Sequence, residues 1–333
     1  MTTRAYSFHG LHLSLSGEQS VLSALHARLG RFPAQTASGA ADLSFEFHNV
    51  GDASRHVVTR PTGAGRSVLE PGRGEAVYFD ESQELYLDIP GHGRALCDAQ
   101  TSRVQVSYPG AAEKGLWFLS HPLFTIPLAE LLKRRGLYMV HAAGLAVAGR
   151  GLLVAGQSGA GKTTLALALL RAGFDFLADD TVFLSSEQNE LRILAFPDEV
   201  DVTAQTLEFF PELRRLTDSP RPKDRPKQGF CSTHAYGVAP CWDCLPETII
   251  FPRPADFHQS VIIHMAKAEA LVDLVCNVLR TEPLSSQAHL DALARLVRHS
   301  RCFRLQTGRD FDQLPALLRS VMDGATESCP EGP

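Results

Sequence analysis

The sequence predicts an α/β chain with α+β character: a phosphate-binding C-terminal domain on a mixed sheet, preceded by a smaller β-rich α+β domain. Three observations predict it. A Gly-rich loop, Gly156-Gln157-Ser158-Gly159-Ala160-Gly161-Lys162-Thr163, follows a short apolar run at 152–155 and precedes a strong helix former at 164–170. The next apolar run, 174–178, ends in Asp179-Asp180, which fits a strand returning after that helix. Alternating runs around Leu43, Phe45 and Phe47 and around Val104, Val106 and Tyr108 fill the N-terminal third with strands.

Taken in order, residues 20–29 have the composition of one helix among those strands, and 77–79 and 85–87 flank the polar turn 80–84. Gly and Pro punctuate 60–74, a predicted loop. His9, His12, His26, His48 and His56 are scattered and form no constellation. This first domain, 1–121, is expected to recognise or scaffold. Residues 122–135 read as a helix that Gly136 ends, with Pro127 tolerated near its start. The second domain is expected at 122–325, with a frayed tail at 326–333. His141 opens a strand through 147. The chain turns at 148–151, and the next strand runs into the glycine loop. Residues 181–184 and 191–196 form a hairpin, and Thr203 caps a helix through 209. Residues 219–230 are a Pro-rich basic loop and 248–251 a strand. Residues 266–280 and 288–299 are helical, 302–305 is a strand and 311–322 a final helix.

The chain has 333 residues and a net charge of −5, which gives no sign of general nucleic-acid affinity. No apolar run reaches membrane-spanning length. The start, Met1-Thr2-Thr3-Arg4, carries no apolar leader, and the 7 cysteines show no framework spacing. A reduced, cytoplasmic protein is expected.

The loop sets the chemistry. Its glycines let successive N–H groups face one anion, joined by the first amides of the following helix, Thr164 included. Lys162 adds charge at the outer phosphates, and the Thr163 hydroxyl can hold Mg²⁺. Asp179 and Asp180 stand at the carboxyl end of the next strand, where open α/β sheets bind ligands. One carboxylate can hold the metal while the other accepts a proton from an attacking hydroxyl. His141 can reach an aspartate at that strand end. Two further features compete with ordinary surface readings. Lys223, Arg225 and Lys227 crowd a loop that could grip phosphate or an acidic substrate. Cys231, His234, Cys241 and Cys244 have ligand types suited to zinc, against a default of reduced thiols.

From His141 through Leu184 the chain resembles the catalytic domain of the bacterial HPr serine kinase/phosphorylase family. The resemblance continues more loosely through 196–203, 251–253 and 307–310, in the manner of diverged HPr-kinase-like proteins. It implies a P-loop, PEP-carboxykinase-like fold using ATP and Mg²⁺. It also implies that His141 and Asp179 form the acid–base pair on the substrate hydroxyl and that Asp180 assists the metal with Thr163. The family's Glu-Ile-Arg-Gly-Leu-Gly-like second signature is not found after the core, so phosphorolysis, a hexamer and HPr as substrate are not carried over.

The sequence thus points to a kinase acting on a hydroxyl of a protein, a peptide or a small metabolite. The rival is an ATP-binding regulator without transfer. A motion-coupled NTPase fits less well, since the aspartates come too soon after the loop. The expected partners are a nucleotide and the hydroxyl-bearing substrate, with no nucleic acid and no membrane; a homo-oligomer is left open.

Overall fold

The computed structural model describes residues 1–32, 40–52, 57–68, 74–110, 115–186, 190–196, 198–216, 227–230, 235–238, 240–276 and 278–324. Among these, 1–138 and 279–289 form one compact unit, and 139–278 and 290–324 form another. None of their helices is long and apolar enough to cross a membrane.

The first unit is a sheet with helices. Its strands are β1 (Thr2–Phe8), β2 (Leu11–Gly17), β3 (Leu43–Asn49), β4 (Arg66–Ser67), β5 (Glu75–Phe79), β6 (Glu84–Ile89), β7 (Gly93–Asp98) and β8 (Arg103–Tyr108), in the spatial order β1-β2-β3-β8-β7-β6-β5-β4. Strand β3 runs parallel to both β2 and β8, and the other pairs are antiparallel. The alternation seen in sequence becomes burial: Leu43, Phe45 and Phe47 are all within 1% of full burial. Helix α1 (Gln19–Leu29) packs on β1 and β2 through Val21, Leu22 and Leu25. Helix α3 (Pro122–Lys133) packs on β6 and β7, and α2 (Leu116–Ser120) bridges the two helices.

The boundary between units lies later than the expected 121/122. Helix α3 joins the first unit because its apolar face covers that sheet, with Phe124 against Phe45. A buried charge network fixes the end of α3. Glu130 is wholly buried and accepts from Arg134 Nε at 2.9 Å and from Thr281 Oγ1 at 2.6 Å; Lys133 Nζ lies 3.1 Å away. Lys133 also donates to the Leu279 carbonyl at 2.9 Å, and burial lowers its pKa.

In the second unit the strands are β9 (Leu137–Val140), which begins in the first unit, β10 (Ala142–Val147), β11 (Arg150–Ala155), β12 (Asp175–Ala178), β13 (Val182–Ser185), β14 (Arg192–Leu194), β15 (Val200–Val202), β16 (Gln228–Phe230), β17 (Asp243–Pro254), β18 (Val261–His264) and β19 (Arg301–Thr307). The main sheet follows the order β12-β10-β11-β17-β14-β13-β9, with β19 parallel to β17 and β18 on the edge of β19. It is mixed, as expected: β10 is antiparallel to β11, and β17 is parallel to it. Helix α4 (Lys162–Arg171) buries Leu165, Ala166, Leu169 and Leu170 against this sheet. Strands β15 and β16 pair as a separate antiparallel ribbon, so the expected basic loop 219–230 ends in a strand. Helix α5 (Ala204–Phe209) is capped by Thr203, whose side chain accepts from the Thr206 amide. The later helices are Lys267–Val275, Pro283–His299 and Leu314–Met322, so the first is shorter and the second longer than the sequence pattern suggests.

The charge network yields a stability prediction. Glu130→Ala strands a buried ammonium and should lower unfolding stability by about 3–5 kcal/mol. Adding Lys133→Met should restore most of that loss, read by chemical denaturation. A single substitution without effect would show that the network carries no stability.

Candidate functional site

Strand register builds the site. Ala142 pairs with Ala155 across β10 and β11, and Gly144 pairs with Ala178 across β10 and β12. Both pairings are antiparallel, so β11 and β12 run the same way and end at the same edge of the sheet. His141 precedes β10, Gly156 follows β11, and Asp179 follows β12. Three segments distant in sequence thus meet at one edge. The Ala148-Gly149 turn sets the hairpin register with positive φ of 51° and 76°.

The loop from Gly156 to Thr163 joins β11 to α4. Gly156, Gly159 and Gly161 have φ of 147°, 84° and 93°, where an L side chain is strained. Gln157, Ser158 and Gly159 are exposed, Ala160 is half-buried, and the Lys162 side chain is buried. Lys162 Nζ donates to the carbonyls of Gly156 at 2.8 Å and Gln157 at 3.3 Å. Burial lowers its pKa, with the charge of Lys227 acting the same way and Asp180 and Asp179 opposing. Thr163 and Thr164 are half-buried in the first turn of α4.

The two aspartates occupy different environments. Asp179 is 3% exposed; its Oδ2 accepts from Thr163 Oγ1 at 3.3 Å and from the Asp201 amide at 3.1 Å. Its Oδ1 is buried without a hydrogen-bond partner. Burial, reinforced by the charge of Asp180, raises the Asp179 pKa to about 7. The Asp180 side chain is 63% exposed, and its Oδ1 lies 3.3 Å from His141 Nδ1. Burial lowers the His141 pKa, and Lys162 and Lys227 add to that against the pull of Asp180. The imidazole is therefore neutral at physiological pH, and a neutral ring can donate only one of its two N–H positions.

These contacts cross the expected pairings. His141 meets Asp180 rather than Asp179, and Thr163 meets Asp179 rather than Asp180. Successive residues at a strand end turn to opposite sides. Asp179 turns under the first turn of α4, and Asp180 turns toward the start of β10. Lys227 joins the site electrostatically, carried by the ribbon of β15 and β16. Lys223, Arg225, Cys231 and His234 lie outside the described residues. Cys241 and Cys244 are described, with burial raising both thiol pKa values, as in protonated thiols. Among the described residues no group of three or more His, Cys, Asp or Glu side chains could hold a metal.

Asp201 escaped the sequence reading. Its amide holds Asp179, while Val200 and Val202 on either side are buried in the core around α4. The alternation Glu199-Val200-Asp201-Val202 was the signal: one face apolar, the other acidic. A cavity of about 520 Å³ also opens beside the loop, lined in part by Gly159, Gly161 and Thr164.

The raised pKa of Asp179 makes stability depend on pH. Its ordinary value is 3.8 and its folded value about 7. A carboxyl whose pKa rises on folding adds stability below the ordinary value and loses it as pH climbs through the folded one. In metal-free buffer, Asp179→Asn and the parent should melt alike near pH 4. By pH 8 the variant should lead by on the order of 4 kcal/mol, seen in thermal melts across pH. A difference that stays constant with pH would remove burial as the cause.

Comparisons with known proteins bear on the same segment. Residues 135–207 match the model of the HPr Serine kinase C-terminal domain. A search of curated proteins found no match. Among solved structures, the chain is similar to the Hpr(Ser) kinase/phosphatase from Coxiella burnetii, with 13% identity and a TM-score of 0.31. That alignment covers 56% of this chain and 95% of that one. The family match spans His141, the whole glycine loop, both aspartates and Asp201, so this segment is similar to the HPr Serine kinase C-terminal domain.

Proposed function

We propose that the protein is an ATP- and Mg²⁺-dependent kinase that transfers the γ-phosphoryl group to a hydroxyl. The observation that carries this reading is the division of labour at one sheet edge: Thr163 with a buried Asp179, and His141 with an exposed Asp180, on either side of Lys162.

The residues present fit a hard cation. Asp179 Oδ1 is buried and unpartnered beside the Thr163 hydroxyl. Mg²⁺ is commonly held by one or two protein oxygens plus substrate phosphates, so no ready-made cage is needed. When bound, the ion would neutralise charge on the phosphates. Thr163 and Asp179 would hold it, and its charge would keep Asp179 ionised despite burial.

The loop amides and the N-terminus of α4 bind the phosphates. Lys162 exchanges its contacts with the Gly156 and Gln157 carbonyls for the outer phosphates and stabilises the charge that moves in transfer. Asp180 is the accessible carboxylate, and His141 orients it. In this reading Asp180 accepts the proton of the incoming hydroxyl, reversing the roles that the family resemblance assigns to the two aspartates. Lys227 adds positive charge to the same side. An acceptor hydroxyl on a protein, peptide or small molecule satisfies this chemistry equally.

Label from γ-labelled ATP should pass to a component of a cell extract. Lys162→Ala should weaken ATP binding and abolish transfer. Asp180→Asn should keep ATP binding and Mg²⁺ half-saturation while lowering transfer by at least about 100-fold, the low end for losing an acid–base group. Asp179→Asn should raise the Mg²⁺ needed for tight ATP binding by about tenfold or more, as loss of a charged ligand does. The opposite pattern would restore Asp179 as the base. ATP binding without transfer to any extract component would instead identify a nucleotide sensor.

A further inference from the structure

We infer that the cavity beside the loop seats a nucleoside, with Phe209 and Phe311 as the surface on which its base stacks. This rests on the phosphate-binding reading above and extends it to the other end of the ligand.

The sheet order supplies the direction. Across its carboxyl edge stand the ends of β12, β11, β17 and β19, in that order. The acids follow β12, and the loop follows β11. The cavity is walled by residues 254–256 at the end of β17 and by 307–309 and Phe311 at the end of β19, on the far side of the loop from Asp179 and Asp180. Its near wall is Gly159, Ala160, Gly161 and Thr164. None of His141, Lys162, Asp179 or Asp180 lines it. A ligand whose outer phosphates meet Lys162 has its inner phosphates over the loop amides. What is attached to them leaves on the cavity side.

The cavity's size and chemistry fit that attachment. About 520 Å³ lies within the range of small-molecule sites. Phe209, the last residue of α5, is 39% exposed, whereas its neighbours Leu207 and Phe210 are buried. Its ring stands 4.7 Å from that of Phe311, inclined at 44°. Phe311 in turn lies 6.4 Å from the fully buried Phe210, which ties the pair to the core. An aromatic left in water next to a phosphate loop is what a flat base needs. Gln205 and the Arg309–Asp256 pair, 3.1 Å apart, add polar groups around the rings that can meet sugar hydroxyls.

Calorimetry with Mg-ATP and Mg-tripolyphosphate separates the two ends. The parent protein should bind ATP more tightly than tripolyphosphate. Phe311→Ala, and independently the exposed Phe209→Ala, should weaken ATP by about tenfold while leaving tripolyphosphate unchanged. Tripolyphosphate binding with ATP no tighter, or both variants binding ATP as the parent does, would overturn the base seat and leave the phosphate site standing. Equal loss for both ligands would trace the effect to the loop and overturn it too. A parent that binds neither ligand would refute the phosphate site and the base seat together.

Discussion

The register between β10 and its two neighbours is the constraint on which the site depends. One antiparallel strand, flanked on both sides, sends β11 and β12 to the same edge and begins there itself. A slip of one residue in either pairing would turn every side chain to the other face. Ala142, Ala143, Leu145 and Ala146 are all buried, so such a slip would disrupt two packed surfaces at once. The small residues of β10 also matter: a methyl at Gly144 would press on Val182. The edge that carries the glycine loop and the two aspartates is thus specified by packing well behind it.

Electrostatics then differentiates groups that the chain places side by side. Asp179 and Asp180 are adjacent, yet one is buried and proton-retaining while the other faces water. Lys162 is buried and depends on the loop carbonyls and the nearby acids to remain charged. His141 is held neutral by burial and by two lysines. Asp179, Lys162 and His141 bias one another, so a charged ligand bound among them would shift all three together.

Much of this was legible in the sequence, for identifiable reasons. Gly156, Gly159 and Gly161 announced a loop because only glycine accepts the backbone there. The strand, loop, helix and return strand followed from apolar runs whose lengths suit a sheet. Which aspartate met which partner was not legible, because it depends on the twist of two residues past the end of β12. Asp201 was hidden for a related reason: it acts through its amide, which every residue possesses. Which sheet Pro122–Lys133 covers was not legible either, because its apolar face does not state which sheet it will meet. Phe209 closes α5 and Phe311 follows β19, about a hundred positions later, and only the fold brings the two rings together beside the loop.

The ribbon of β15 and β16 has a mechanical consequence. Asp201, whose amide grips the inner carboxylate, sits directly across from Gly229, two residues beyond Lys227. The side chains of Glu199 and Asp201 crowd the space that a substituent on Gly229 would need. The ribbon thus carries a hydrogen-bond donor to Asp179 on one strand and Lys227 at the start of the other. A change in the register of this pair would displace the donor to Asp179 and the charge of Lys227 together.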